Sequence, residues 1–204
     1  MLAQKSFSSP VRASAAFGRL VIGWLRRAAN VRLLGMTLTA VALTACSPEY
    51  DWRTVTDTSQ GYTIDMPAKP TQDERQIALA GTAMPMHVRA AHLAHSVFAV
   101  GVVDLPSDDP RLQREVLDTL RSALGRHLGA PGEARPARVP LAAGGDASAV
   151  DVAVTGVAGS AHEHKVIHAW LVARGRRVYQ AVIIADEAPP AEQTDQFFRS
   201  FKLF

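Results

Sequence analysis

A few residue groups in this chain have side chains capable of chemistry. His162, His164 and His168 share one face of an extended segment, and imidazoles so placed are the donors that zinc and copper take. They follow Gly159-Ser160-Ala161, the composition of a solvated loop entering a strand, and a polar loop is the competing reading. His87, His92 and His95 read as sheet-surface residues. Asp104, Asp108 and Asp109 could offer oxygens to calcium, but capping of the helix that follows accounts for two of them. Arg174, Arg176 and Arg177 crowd one hairpin tip, either as a solvated turn or as a site for anionic head groups. Cys46 is the single cysteine, so no internal disulfide can form. No Gly-x-Ser-x-Gly elbow, phosphate-cradling glycine loop, dinucleotide glycine pattern or His-Glu-x-x-His is present, and no catalytic or cofactor motif is legible.

What positions Cys46 is an apolar run over residues 33–42, preceded by Arg26, Arg27 and Arg32 and closed by Leu43-Thr44-Ala45. Basic residues, a short apolar stretch and small residues at a cut are the parts of a secretory signal. The run is too short and too rich in Ala and Thr to span a bilayer, which takes about 20 apolar residues. Leu43-Thr44-Ala45-Cys46 resembles the lipobox of bacterial lipoproteins. That resemblance implies cleavage between Ala45 and Cys46, a diacylglycerol on the Cys46 thiol and acylation of the new amine. Two or three acyl chains on one residue make a stable membrane anchor, where a single chain is marginal. Ser47 in place of Asp favours the outer membrane over the inner under the enteric sorting rule. The segment before the run is longer than such signals need, and Val31 is an alternative start. Ala-Ala-Asn after Arg26-Arg27 replaces the apolar pair of a twin-arginine signal.

The whole chain has 204 residues and a net charge of +3, but Lys5, Arg12, Arg19, Arg26, Arg27 and Arg32 all precede the cut and no acidic residue does. From Cys46 onward, sixteen basic residues face nineteen acidic ones, a net charge of −3. This removes the electrostatic argument for nucleic acid, which needs a basic face. The expected organisation is a signal peptide over 1–45, a lipidated tether over 46–49 and one domain over 50–204.

Within the domain, 62–66 alternates apolar and polar residues as a half-buried strand does, and 76–80 is a weaker strand. Segments 86–93 and 97–103 form two more, the second apolar enough to be central. Ser107-Asp108-Asp109-Pro110 opens a helix in which Leu112, Val116, Leu117, Leu120, Leu124 and Leu128 line one face, and Gly129 ends it. Residues 131–140 read as a proline-rich connector or edge segment. Val150, Val152 and Val154 line one face of a strand over 149–155. Residues 165–173 and 177–185 make the clearest hairpin, and 190–200 a closing helix with Phe197, Phe198 and Phe201 as most of its apolar payload.

Strands, a helix, strands and a terminal helix joined by hairpins predict an α+β fold, an antiparallel sheet with two main helices packed on it. Gly61-Tyr62-Thr63-Ile64-Asp65-Met66-Pro67-Ala68-Lys69-Pro70 and the closing Phe198-Arg199-Ser200-Phe201 resemble the opening and end of PsbP-like superfamily domains. That resemblance implies an α/β sandwich over 50–204 and transfers no functional residue. The expected function is a lipid-anchored, non-enzymatic binding or accessory module of the cell envelope, facing the periplasm and meeting an envelope protein partner, with no cofactor. Two alternatives stand beside it: a periplasmic metal-binding protein using His162, His164 and His168, and an enzyme whose site is not legible in the sequence.

Overall fold

A computed structural model describes residues 49–79, 81–158 and 163–204, all within the compact unit Cys46–Phe204. Among the described residues the strands are β1 (Arg53–Asp57), β2 (Tyr62–Met66), β3 (Thr71–Leu79), β4 (Thr82–His92), β5 (Ser96–Asp104), β6 (Glu133–Pro140), β7 (Asp146–Ala158), β8 (Glu163–Arg174), β9 (Arg177–Ala185) and β10 (Lys202–Leu203). The helices are α1 (Pro110–Leu128) and α2 (Ala191–Ser200). No helix among them is long and apolar enough to cross a membrane.

The fold is α+β with antiparallel sheets. A seven-stranded sheet runs β3-β4-β5-β9-β8-β7-β6, and a second, three-stranded sheet runs β1-β2-β10. Alternation along the central strands sends side chains to two cores. On one face Ala99, Val103, Val152, Val154, Ile167 and Leu171 pack with Val116, Leu120, Leu124 and Leu128 of α1. On the other, Phe98, Val100, Val102, Tyr179 and Ile183 pack with Ile64 and Met66 of β2 and with Phe197 and Phe198 of α2. The two helices therefore lie on opposite faces, and the second sheet shares its face with α2.

Local chemistry accounts for the limits of α1. The Asp109 carboxylate accepts the Arg111 N–H at 2.9 Å, Pro110 takes the first position, and Gly129 closes the last turn in the left-handed conformation. The last turn seats on β7 at Gly156, where a Cβ would overlap the Leu128 carbonyl oxygen. Gly156→Ala is expected to push the end of α1 off the sheet and destabilise the domain by about 1–3 kcal/mol, read as a lower thermal midpoint.

The expected antiparallel sheet with two helices packed on it is present, one helix to each face, and the expectation of a single sheet is corrected by the second, three-stranded one. β1 carries one apolar residue, Val55, and shows no apolar alternation. It is held by its pairing with β2, reinforced by the Thr54 hydroxyl donating to Asp65 at 2.7 Å and the Thr56 and Thr63 hydroxyls meeting at 3.1 Å. β10 has two residues, too few for a periodicity. β3 begins at Thr71, earlier than the weak strand expected from residue 76. Residues 71–76 are all exposed, as a polar edge strand allows. Residues 133–140, with two prolines, form the opposite edge strand.

Candidate functional site

The lipobox residues Leu43, Thr44, Ala45 and Cys46, the alternative start Val31, and His162 lie outside the described residues. His164 and His168 lie on β8 opposite Val157 and Ala153. Four residues along a strand separate them by about 13 Å, too far to share one ion. Each has its own partner: His168 Nε2 meets Asp151 at 2.7 Å with its ring 4.4 Å from that of Phe198, and His164 Nδ1 lies 3.4 Å from the Asp186 carbonyl oxygen. Among the described residues no group of three His, Cys, Asp or Glu side chains is placed to hold a metal ion. The aspartates expected as alternative calcium ligands have other roles, since Asp104 binds His87 and Arg177 while Asp109 caps α1.

The structure instead assembles a polar site where the β1–β2 turn lies over the charged end of the seven-stranded sheet. Asp57, 8% exposed, is its centre. Its carboxylate accepts from Arg89 of β4 at 2.9 Å, from the Ser59 hydroxyl at 2.6 Å and from the Gln60 N–H at 3.0 Å. The turn's carbonyls are used as well: Ser59 accepts from Arg177 at 2.7 Å and Gln60 from the Tyr179 hydroxyl at 3.0 Å. Gly61 permits this closeness. Its φ is 75°, and a Cβ would lie 3.2 Å from both the Arg177 guanidinium and the Tyr179 hydroxyl.

From the turn the network crosses four strands. Arg177 of β9 donates to Asp104 of β5 at 3.1 Å, Asp104 meets His87 of β4 at 3.1 Å, and His87 lies 3.5 Å from Glu74 of β3. Two hollows flank it. One, of about 320 Å³, is lined by Asp57, Ser59, Gln72, Glu74, His87 and Arg89. The other, of about 540 Å³, is lined by Asp104, Arg174, Arg176, Arg177, Tyr179 and Phe204.

Burial works to raise the Asp57 carboxyl, but the Ser59 hydroxyl, the Gln60 N–H and Arg89 outweigh it and hold the group below the ordinary carboxylate range. Burial pushes the Tyr62 phenol far up, and it raises Tyr179 against the pull of Arg177 and Arg174. Arg177 itself is raised, because contact with Tyr179 and Asp104 outweighs burial. Both phenols stay protonated near neutral pH and act as hydrogen-bonding groups rather than bases. The arrangement offers fixed charges and donors to a polar ligand.

A smaller cluster marks the opposite end of the sheet. Asp186 accepts from Lys165 and lies 3.2 Å from His95, beside a 470 Å³ hollow that includes Glu49 and Tyr50. The bond from Lys165 chiefly lowers Asp186, and the bond to Asp186 chiefly raises Lys165.

Sequence reasoning missed the Asp57–Arg89 pair, whose members are 32 residues apart. The signal that existed was alternation, since His87 and Arg89 take every second place on a strand where Met86, Val88 and Ala90 are apolar. Comparison of the chain with protein-family models gives no match, and comparison with curated proteins gives none.

Proposed function

We propose that this protein is a lipid-anchored lipoprotein of the bacterial cell envelope, tethered through Cys46 and facing the periplasm, with the outer membrane favoured over the inner. The domain over 50–204 acts as a non-enzymatic binding module, and the PsbP-like resemblance belongs to this reading. The observation that carries the reading is the sequence Leu43-Thr44-Ala45-Cys46 directly after a short apolar run, with a basic stretch before it. The first strand begins at Arg53, seven residues beyond the cysteine, so a lipid there would hold the domain close to the bilayer. Tethering raises the domain's effective concentration near membrane partners without any new contact. Support for a binding role comes from the polar site, whose charged groups are fixed by one another and border two open hollows.

The test is Cys46→Ala in the full chain, expressed in a bacterial host. The wild type is expected in the membrane fraction, with an N-terminal Cys46 that carries the mass of two or three acyl chains. The variant is expected to lose that mass and its firm membrane association. A variant still cut before residue 46 and still firmly in the membrane fraction would overturn the reading.

A further inference from the structure

The β8–β9 hairpin presents three guanidinium groups that are unequally satisfied. Arg177 is paired with Asp104 and the Ser59 carbonyl. Arg176 donates to the Leu105 carbonyl at 3.3 Å. Arg174 lies directly across from Arg177 on the neighbouring strand, an arrangement of like charges that costs stability. Among the described residues it makes no ion pair, and its half-buried guanidinium includes a buried Nη1 with no acceptor. A buried charged donor left unpaired is expensive, so the chain holds a cation here without supplying its acceptor.

All three arginines line the 540 Å³ hollow, where the carboxylate side chain among the lining residues is Asp104. Three guanidinium groups against that one carboxylate side chain leave positive charge in excess. Burial keeps the Tyr179 phenol protonated there, so it adds no negative charge. A guanidinium's planar fork matches the oxygens of a phosphate, so an oxyanion of that class can supply the acceptor the chain does not.

The hollow also lies far from residue 49. β5 runs from Ser96, beside the hollow that includes Glu49, to Asp104, which lines the arginine hollow. Those eight steps span about 26 Å, several times the roughly 8 Å over which salt screens exposed charge. Three residues beyond Glu49 reach Cys46, adding at most about 11 Å.

We propose that the hollow under the β8–β9 hairpin binds a phosphate-class oxyanion, with Arg174 as its main ligand and Arg176 and Arg177 beside it, taken from solution rather than from the anchoring membrane. This names a ligand class for the binding module proposed above. The anion site stands on its own geometry, and the side from which the anion arrives rests on the lipid anchor.

The test titrates inorganic phosphate into the full chain in neutral detergent at low ionic strength, by calorimetry and by thermal midpoint. In parallel, phosphatidylcholine vesicles with and without phosphatidylglycerol are floated, free of detergent, with the Cys46→Ala variant, which carries no acyl chain to hold it to the bilayer. Saturable phosphate binding that raises the midpoint is expected. Arg174→Gln should weaken it about tenfold or more, as loss of a charge-assisted bond does, while remaining at least as stable as wild type without phosphate. Arg174→Lys, which keeps the charge without the fork, should bind several-fold more weakly and serves as the comparison if the glutamine variant folds poorly. Arg121→Gln, on exposed α1, should change nothing. The proposal is overturned by absence of saturable binding, by equal weakening in Arg121→Gln, or by binding to phosphatidylglycerol vesicles without binding to phosphate. Cys46→Ala leaves the titration unchanged, so failure of the anchor and failure of the anion site are read separately.

Discussion

Arg89→Met is expected to destabilise the domain by about 3–5 kcal/mol, the cost of leaving a buried charge without its partner. At roughly 2–4 °C per kcal/mol for a domain of this size, the thermal midpoint should fall by about 10 °C. The Asp57 side chain is 9% exposed and that of Arg89 24%, so solvent cannot replace the lost contact cheaply. The Ser59 hydroxyl and Gln60 N–H remain, but they leave the carboxylate's charge unbalanced. The same turn carries the carbonyls that fix Arg177 and Tyr179, so the site loosens with it.

The pH dependence identifies the cause. In the wild type, burial opposes ionisation of Asp57 while Ser59, Gln60 and Arg89 prevail, and the carboxyl is held below its ordinary value. A lowered native value contributes stability above the unfolded carboxyl's range, about pH 4, and loses it as the pH falls through the native value. Without Arg89 the burial cost gains ground and protonation becomes easier. The stability gap between wild type and variant should therefore narrow as the pH drops from 7 to 3 in denaturant titrations. A constant gap would remove Asp57 from the explanation.

Phe197→Ala is the second large effect, about 3–5 kcal/mol by the usual cost of deleting a buried aromatic side chain. Phe197 is fully buried and sits 5.2 Å from both Phe98 and Phe198, ring to ring. It anchors α2, a ten-residue helix with no side-chain cap at its start. Helices that short are marginal alone, so α2 depends on the aromatic residues beneath it and on the Trp52 indole donating to Gln193 at 2.9 Å. Hydrogen exchange should show α2 amides losing protection before those of β5 and β9. Phe204→Ala, at a residue 43% exposed, should change stability by less than about 0.5 kcal/mol. Equal losses in the two variants would contradict the packing described.

The elements legible in the chain were those whose signal is local. Asp109, Pro110 and Gly129 bound α1 by capping chemistry, and Val116, Leu120, Leu124 and Leu128 mark its buried face by periodicity. The 165–173 and 177–185 segments read as a hairpin because short-range alternation and a glycine turn suffice for one. The single cysteine after Leu43-Thr44-Ala45, the charge reversal at that point and the α+β class all come from residue types in order along the chain. β1, β10 and the division into two sheets were decided only in the fold, because their stability comes from pairing with β2 and carries no periodic apolar signature. The polar site was decided there too. Arg177 meets Asp104 across 73 residues and Ser59 across 118, and no spacing rule connects such positions. Cross-strand register brings them together, and register depends on the whole sheet at once, whereas a cap or a periodic face needs only its neighbours along the chain.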